Sequence, residues 1–147
     1  MATSTLGNRY QIALRADPAL PPLAVDRSQL EGAVLNLILN ARDAMPTGGA
    51  IAIETERMEV PPGAGGALSD LLPGNYAVVA VRDNGAGMPP DVAERAFEPF
   101  FTTKPAGSGT GLGLSMVLGF ARQSGGTALL ETAPGRGTVV RIVLPLA

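Results

Sequence analysis

NLILNARDAM, residues 36–45, decides how the rest of this chain is read. Leu30, Val34, Leu37, Ile38, Ala41 and Met45 recur at steps of three and four, an apolar stripe along one side of a helix. Leu35 and Leu39 extend apolar cover onto another side. At about 100° of turn per residue, Asn36, Asn40 and Asp43 fall within roughly 60° of one another, a narrow polar strip on a greasy helix. A solvated face would carry several Lys and Glu, and Asn and Asp are poor helix formers that need another reason to be here. Two readings stay open. The strip is either a surface or a satisfied core amide, or it is a pocket wall whose amide oxygen ligates Mg²⁺, a hard cation that takes oxygen ligands.

Outward from this helix, apolar and polar residues alternate in YQIALRA (10–16) and AIAIETE (50–56), each the mark of a half-buried strand. The helix between them starts near Asp26 or Ser28, since Asp26…Gln29 and Ser28…Glu31 both have capping-box spacing, and it runs to about Ala44, before Pro46 and Gly48-Gly49. Met58–Asn75 is rich in Pro and Gly and reads as a long loop. YAVVAV (76–81) is a continuous apolar run, a central strand. Pro90–Phe97 predicts a short helix and Leu112–Ser124 a longer one. Thr127–Glu131 and Gly137–Leu144 form a hairpin around PGRG (134–137). The fold class is therefore α+β, a two-layer α/β sandwich with a mixed sheet of about five strands and about three helices on one face. The 147 residues suit a single domain, with residues 1–8 read as a tag or linker.

Two further polar patches follow the helix. In RDNGAGMP (82–89), Asp83 ends a buried strand and Gly85 and Gly87 keep the turn free of side chains. Adenine presents an amine beside a ring nitrogen. An ionised Asp only accepts, so it can take the amine proton and repels the carbonyl of guanine. The same letters also spell an ordinary D-N-G turn. Thr138, after Gly135 and Gly137, adds a hydroxyl there if the last hairpin lies beside this strand. In GSGTGLGLS (107–115), Gly107, Gly109, Gly111 and Gly113 alternate directly before a helix, and free amides at a helix N-terminus make an anion site. A Walker loop would need Gly-Lys-Ser/Thr, which is missing. The dinucleotide pattern needs a third glycine where Pro90, Leu112, Leu114 and Met116 stand. Upstream, FEPFFTTK (97–104) holds three of the four phenylalanines, either core residues or the pinned base of a flap carrying Thr102, Thr103 and Lys104 toward phosphates.

Composition removes other classes. A net charge of −2 with a pI near 5.0 argues against a nucleic-acid surface. The absence of cysteine excludes disulfide scaffolds and thiolate metal sites and suits a reducing, cytoplasmic setting. No apolar run reaches the roughly 18 residues of a membrane span, and Met1–Asn8 lacks the features of a secretory signal. The chain also contains no histidine.

On these motifs the chain resembles the catalytic, ATP-binding domain of bacterial sensor histidine kinases, within the GHKL group that includes gyrase B, MutL and a heat-shock chaperone. LNLILNARDAM is similar to the family's N box, DNGAGM to its first glycine box, FEPFFTTK to its F box, GTGLGLS to its second glycine box and GRGT to its last. NARDAM and FEPFFTTK resemble most the nitrogen-sensor-like subgroup. The resemblance implies Mg²⁺ on Asn40 with Asn36 nearby, and the adenine amine on Asp83. It implies a nucleotide site completed by Gly85, Gly87, Met88, Phe100, Thr102, Thr103, Lys104, Gly109, Thr110, Gly111, Leu112, Gly113, Leu114 and Thr138, with residues 97–113 as an ATP lid. Many members place a lysine three residues past the metal-ligating asparagine; this chain has Asp43 there.

The resemblance also bears on the reaction. Members that hydrolyse ATP carry a Glu four residues before the Mg²⁺ asparagine, where this chain has Asn36, and an amide cannot accept a proton. The expectation is a kinase with Asn36, Asn40 and Lys104 in the catalytic set, passing the γ-phosphate of ATP to a histidine on a separate dimerisation domain and thence to a response regulator. Without a histidine the chain is expected to be an excised fragment, or a subunit working in trans, and a monomer when isolated. A GHKL ATPase, an anti-sigma-type serine kinase and a non-catalytic nucleotide-binding module are the alternatives.

Overall fold

The computed structural model describes residues 9–21, 23, 25–99 and 113–146. Strands β1 (Tyr10–Arg15), β2 (Gly49–Val60), β3 (Gly74–Asp83), β4 (Thr127–Thr132) and β5 (Thr138–Pro145) form one sheet in the order β1-β2-β3-β5-β4. Only the β1–β2 pair is parallel, and the long helix α1 (Arg27–Asp43) lies in the connection between these strands, as a parallel crossover requires. Helix α2 (Pro90–Arg95) is short, and α3 (Gly113–Gln123) leads into the β4–β5 hairpin. The mixed five-stranded sheet with helices meets the expectation, and the last two strands are a hairpin around the PGRG turn.

Of the two candidate caps for α1 the molecule uses Asp26, whose carboxylate accepts from the Gln29 amide at 3.1 Å. That satisfies one of the donors left open at a helix start. Leu37, Ala41 and Met45 are buried, as the stripe predicts, and Ala33 joins them. These residues and Val117, Phe120 and Ala121 of α3 pack on Ile51, Val79, Val81, Val140, Ile142 and Leu144 of the sheet. Neighbouring residues on a strand point to opposite faces, so this set marks the covered face.

The structure differs from the reading in one place. β2 continues to Val60 and β3 begins at Gly74, so the expected loop over 58–75 shrinks to residues 61–73 with a short 3₁₀ turn, Gly66–Leu68. The cause is a change of face. Ile51 and Ile53 point to the helices, whereas Met58 and Val60 point to the other side. There a small second cluster forms with Tyr76, Val78 and Val143. The apolar phase jumps by one residue within β2, which reads as the end of a strand when only one core is assumed. The rest of that outer face carries ion pairs, Glu54 lying between Arg15 at 3.4 Å and Arg82 at 3.3 Å.

Candidate active site

The polar strip of α1 and the D-N-G turn meet at one end of the covered face. Asp83 is the last residue of β3 and is 9% exposed. Its carboxylate accepts from the Gly85 amide at 2.8 Å. Burial pushes the Asp83 carboxyl above its ordinary value, and hydrogen bonds from the Gly85 and Thr138 amides act against that rise.

Gly85 sits hard against the end of α1. A Cβ there would lie 2.7 Å from the Ala44 carbonyl and 3.0 Å from both Asp83 Oδ1 and Met45 Cγ. The Ala86 amide donates to the Ala44 carbonyl at 3.4 Å, while the Ala86 carbonyl accepts from Gly135 at 2.7 Å. The turn is thus pressed between α1 and the tip of the last hairpin. Gly87 is required there, since its φ is +71° and a Cβ would run into the Ala133 carbonyl. Gly137 is the second such position, with φ +72° and a Cβ that would strike the Asp83 carbonyl.

The last hairpin lies beside β3, as the reading of Thr138 required. Thr138 pairs with Asp83 across β3 and β5 and is 7% exposed. Thr132, which the sequence reading did not single out, pairs with Thr138 from β4. Its hydroxyl lies 3.0 Å from the Met88 amide, 2.9 Å from the Gly137 carbonyl and 2.9 Å from the Thr138 hydroxyl. A second unnoticed residue is Asn84, whose side-chain oxygen accepts from the Ala50 amide at 3.0 Å and fastens the turn to β2. A third is Tyr10, whose hydroxyl donates to the Met45 carbonyl at 2.7 Å and holds the end of α1. A threonine in a hairpin arm and an asparagine in a turn carry no sequence signal of their own. Their roles come from the register of the strands.

On α1, Asn36 and Asn40 are half-buried, and their side chains have no hydrogen-bond partner among the described residues. Asn40 faces the start of α3: a Cβ on Gly113 would lie 3.2 Å from its amide nitrogen and 3.5 Å from its oxygen. A side chain at 113 would crowd that amide, so the last glycine of the comb leaves it room. Leu114, the next residue, packs on the main core. Asp43 is ion-paired to its neighbour Arg42 at 3.1 Å. Phe100, Thr102, Thr103, Lys104, Gly109, Thr110, Gly111 and Leu112 lie outside the described residues, as does most of the 97–113 segment. No described helix is long and apolar enough to cross a membrane.

Residues 25–147 match the family described as histidine kinase-, DNA gyrase B-, and HSP90-like ATPase. The sensor kinase CckA of Brucella abortus is 47% identical over 95% of this chain and 15% of its own length. The sensory histidine kinase/phosphatase NtrB of Azospirillum brasilense is 38% identical over 99% of this chain and 36% of its own length. The chain therefore spans well under half of these two relatives. Among solved structures, the mycobacterial sensor histidine kinase MprB superposes with a TM-score of 0.71 at 28% identity, over 93% of this chain and 84% of that one. The glycines that make room for Asp83 and Asn40, the order of the boxes and these likenesses agree: the chain belongs to the histidine kinase-, DNA gyrase B- and HSP90-like ATPase family, as the catalytic, ATP-binding domain of the sensor histidine kinase type.

Proposed function

We propose that this chain holds Mg-ATP and donates the γ-phosphoryl group to a histidine on a separate dimerisation domain, of the same full-length protein or in trans, for onward transfer to a response regulator. One observation carries the reading. Three segments far apart in sequence meet at the C-terminal end of α1, with Asn40 against Gly113 and the Asp83–Gly85 turn against Ala44 and Met45.

In this reading Asp83 accepts from the exocyclic amine of adenine, and Thr138 stands beside it on the next strand. Gly85, Gly87 and Met88 form the wall of the base site, and Gly113 and Leu114 open α3 toward the phosphates. The residues fit a magnesium ion: an asparagine oxygen is a hard donor, and the Asn40 amide is not engaged by any described side chain. Asn40 would hold the ion, with Asn36 one turn before it, and the ion would neutralise phosphate charge. Lys104 adds a positive charge at the γ-phosphate, and the 97–113 lid excludes water, with Phe100, Thr102, Thr103, Gly109, Thr110, Gly111 and Leu112 among its contacts.

Phosphoryl transfer of this kind needs positioning and charge neutralisation more than covalent help from the protein. A nitrogen of the acceptor imidazole bonds to the γ-phosphorus, the bond from that phosphorus to the β-phosphate bridging oxygen breaks, and ADP leaves. Asn36 cannot remove a proton from water, so hydrolysis has no base at that position. The chain has no histidine to accept the group itself. The domain works on the cytoplasmic side, needs no nucleic acid or membrane contact, and is a monomer when isolated.

The test mixes the chain with γ-labelled ATP, alone and with a histidine-bearing helical dimerisation domain. The chain should stay unlabelled and should label that domain in a Mg²⁺-dependent manner. Stable label on the chain alone would overturn the proposal. Steady release of phosphate without a partner would make it an ATPase, and label on a partner's serine would make it a serine kinase.

A further inference from the structure

We infer that Thr132 is a positioning residue that sets base specificity, by orienting the Thr138 hydroxyl so that it offers the base a lone pair and not a proton. The inference rests on the base-site reading of Asp83.

Ile51, Asp83, Thr138 and Thr132 occupy matched positions on β2, β3, β5 and β4, so they form one row across the sheet. Residues directly opposite on paired strands share a face. Ile51 lies in the main core, which places the whole row on the covered side. Its polar members stand at the end of the sheet where the Gly85 turn meets α1.

The protons within this row can be counted. Three groups surround Thr132 Oγ1: the Met88 amide at 3.0 Å, the Gly137 carbonyl at 2.9 Å and the Thr138 hydroxyl at 2.9 Å. An amide only donates, a carbonyl only accepts, and a hydroxyl has one proton and two lone pairs. Thr132 therefore spends its proton on the Gly137 carbonyl and accepts from Met88. Its remaining lone pair faces Thr138, so Thr138 must be the donor in the hydroxyl–hydroxyl contact. With its only proton turned toward Thr132, Thr138 has nothing but lone pairs left for a ligand. Asp83, when ionised, is likewise an acceptor only.

Two neighbouring acceptors match a base edge that supplies two protons from an amine. They oppose a base with a carbonyl in that place. Asp83 alone would give part of this selectivity. Thr132 extends it by denying a carbonyl the Thr138 proton, although its own side chain lies one strand beyond Thr138.

The experiment titrates ATP and inosine triphosphate, which carries a carbonyl where ATP has the amine, into the parent chain, Thr132→Val, Thr132→Ser and Asp83→Asn. Valine keeps the shape and removes the hydroxyl. The expected result is that Thr132→Val narrows the preference for ATP about tenfold, mostly by weakening ATP while sparing the inosine nucleotide. Serine should restore the parent ratio to within about twofold, because it supplies the same hydroxyl. Equal weakening of both nucleotides by valine would mean that Thr132 merely holds the Met88 loop, and an unchanged ratio would mean that it does nothing to the base; either result overturns the inference.

Asp83→Asn separates this from the underlying reading. If that variant shifts the ratio and Thr132→Val does not, only the role of Thr132 fails. If Asp83→Asn changes neither affinity nor ratio, the base site itself is misassigned. Should the valine variant not fold, Thr132→Ala, which also removes the hydroxyl, takes its place: about a tenfold narrower preference for ATP is expected, and an unchanged ratio overturns the proposal.

Discussion

The corner around Asp83 and the strip around Asn40 are both polar, both lie at the C-terminal end of α1, and are built on opposite principles. Asp83 is nearly buried and already accepts from backbone amides, and Thr138 and Thr132 are tied into one hydrogen-bonded row beside it. Asn36 and Asn40 are half-buried and their amides bond to no described residue. A buried polar group left without partners costs about 1–3 kcal/mol, so a protein satisfies such groups internally or leaves them near solvent. The corner has taken the first course and is organised before any ligand arrives. The strip has taken the second, which suits side chains proposed to meet a hydrated cation and phosphates. In the proposed reading, recognition of the base and binding of charge are thereby divided between a region whose hydrogen bonds are already made and one whose side chains are not yet engaged.

Replacing Asn40 tests that division most severely. Asn40→Ala should abolish the Mg²⁺ dependence of nucleotide binding in calorimetric titration while leaving the melting temperature of the free chain close to the parent's. A large loss of stability would show that the amide is structural and would erase the contrast.

Asp83→Asn comes next. It should weaken ATP about 10- to 100-fold, as expected for a hydrogen bond to a charged group, and relax discrimination against GTP. Its effect on the free chain should have the opposite sign. Burial raises the Asp83 carboxyl above the ordinary value of 3.8, so the folded state holds that proton more tightly than the unfolded one. The stability that comes with the protonated form is complete below the ordinary value and is lost as pH rises through the raised one. The asparagine variant should therefore gain in relative stability over that window, measured by denaturant titration at a series of pH values. Nucleotide affinity of the parent should fall as pH drops through the same raised value, because the carboxylate accepts the amine proton more strongly than the neutral acid does. A parent that binds ATP equally well throughout this range would remove Asp83 from the base site.

The rigidity of the corner can be probed without touching a ligand contact. Gly137→Ala forces a side chain into a left-handed backbone position and against the Asp83 carbonyl. It should cost about 1–3 kcal/mol in chemical denaturation and weaken nucleotide as well, since the strain falls on Asp83 itself. A variant as stable as the parent would show that the corner yields easily. The smallest effect is expected for Tyr10→Phe, which deletes the hydroxyl donating to the Met45 carbonyl at 2.7 Å. About 1 kcal/mol of stability should go, with ATP affinity nearly unchanged. An affinity loss exceeding the stability loss would mean that the seating of α1 is tuned for the nucleotide.

How much was legible beforehand follows the same physical lines. Helix α1, its apolar stripe and its Asp26 cap are written in residue spacing, because a helix is stabilised by neighbours three and four positions away. The outer half of β2 was not legible, since Met58 and Val60 pack on a second cluster that exists only when Tyr76 and Val143 arrive from other strands. Asn40, Asp83 and Thr138 could be singled out because each sits in a local pattern with its own chemistry. Asn84 and Tyr10 could not, because their partners lie 34 and 35 residues away, and Thr132 could not because, besides its partners within the hairpin, it binds the Met88 amide 44 residues away.

The amino-acid order by itself determined the class of fold, the family and the chemical types available for a nucleotide site. Such properties reside in short windows: periodicity, caps, glycine spacing and the presence of an amide where a carboxylate would be a base. Only the tertiary structure decided that the turn after β3 is wedged under Ala44, that Gly113 leaves room for Asn40, and that the hydroxyls of Thr132 and Thr138 meet across the last hairpin. Those outcomes depend on strand register and close packing, in which each contact is set by segments that chain order keeps far apart.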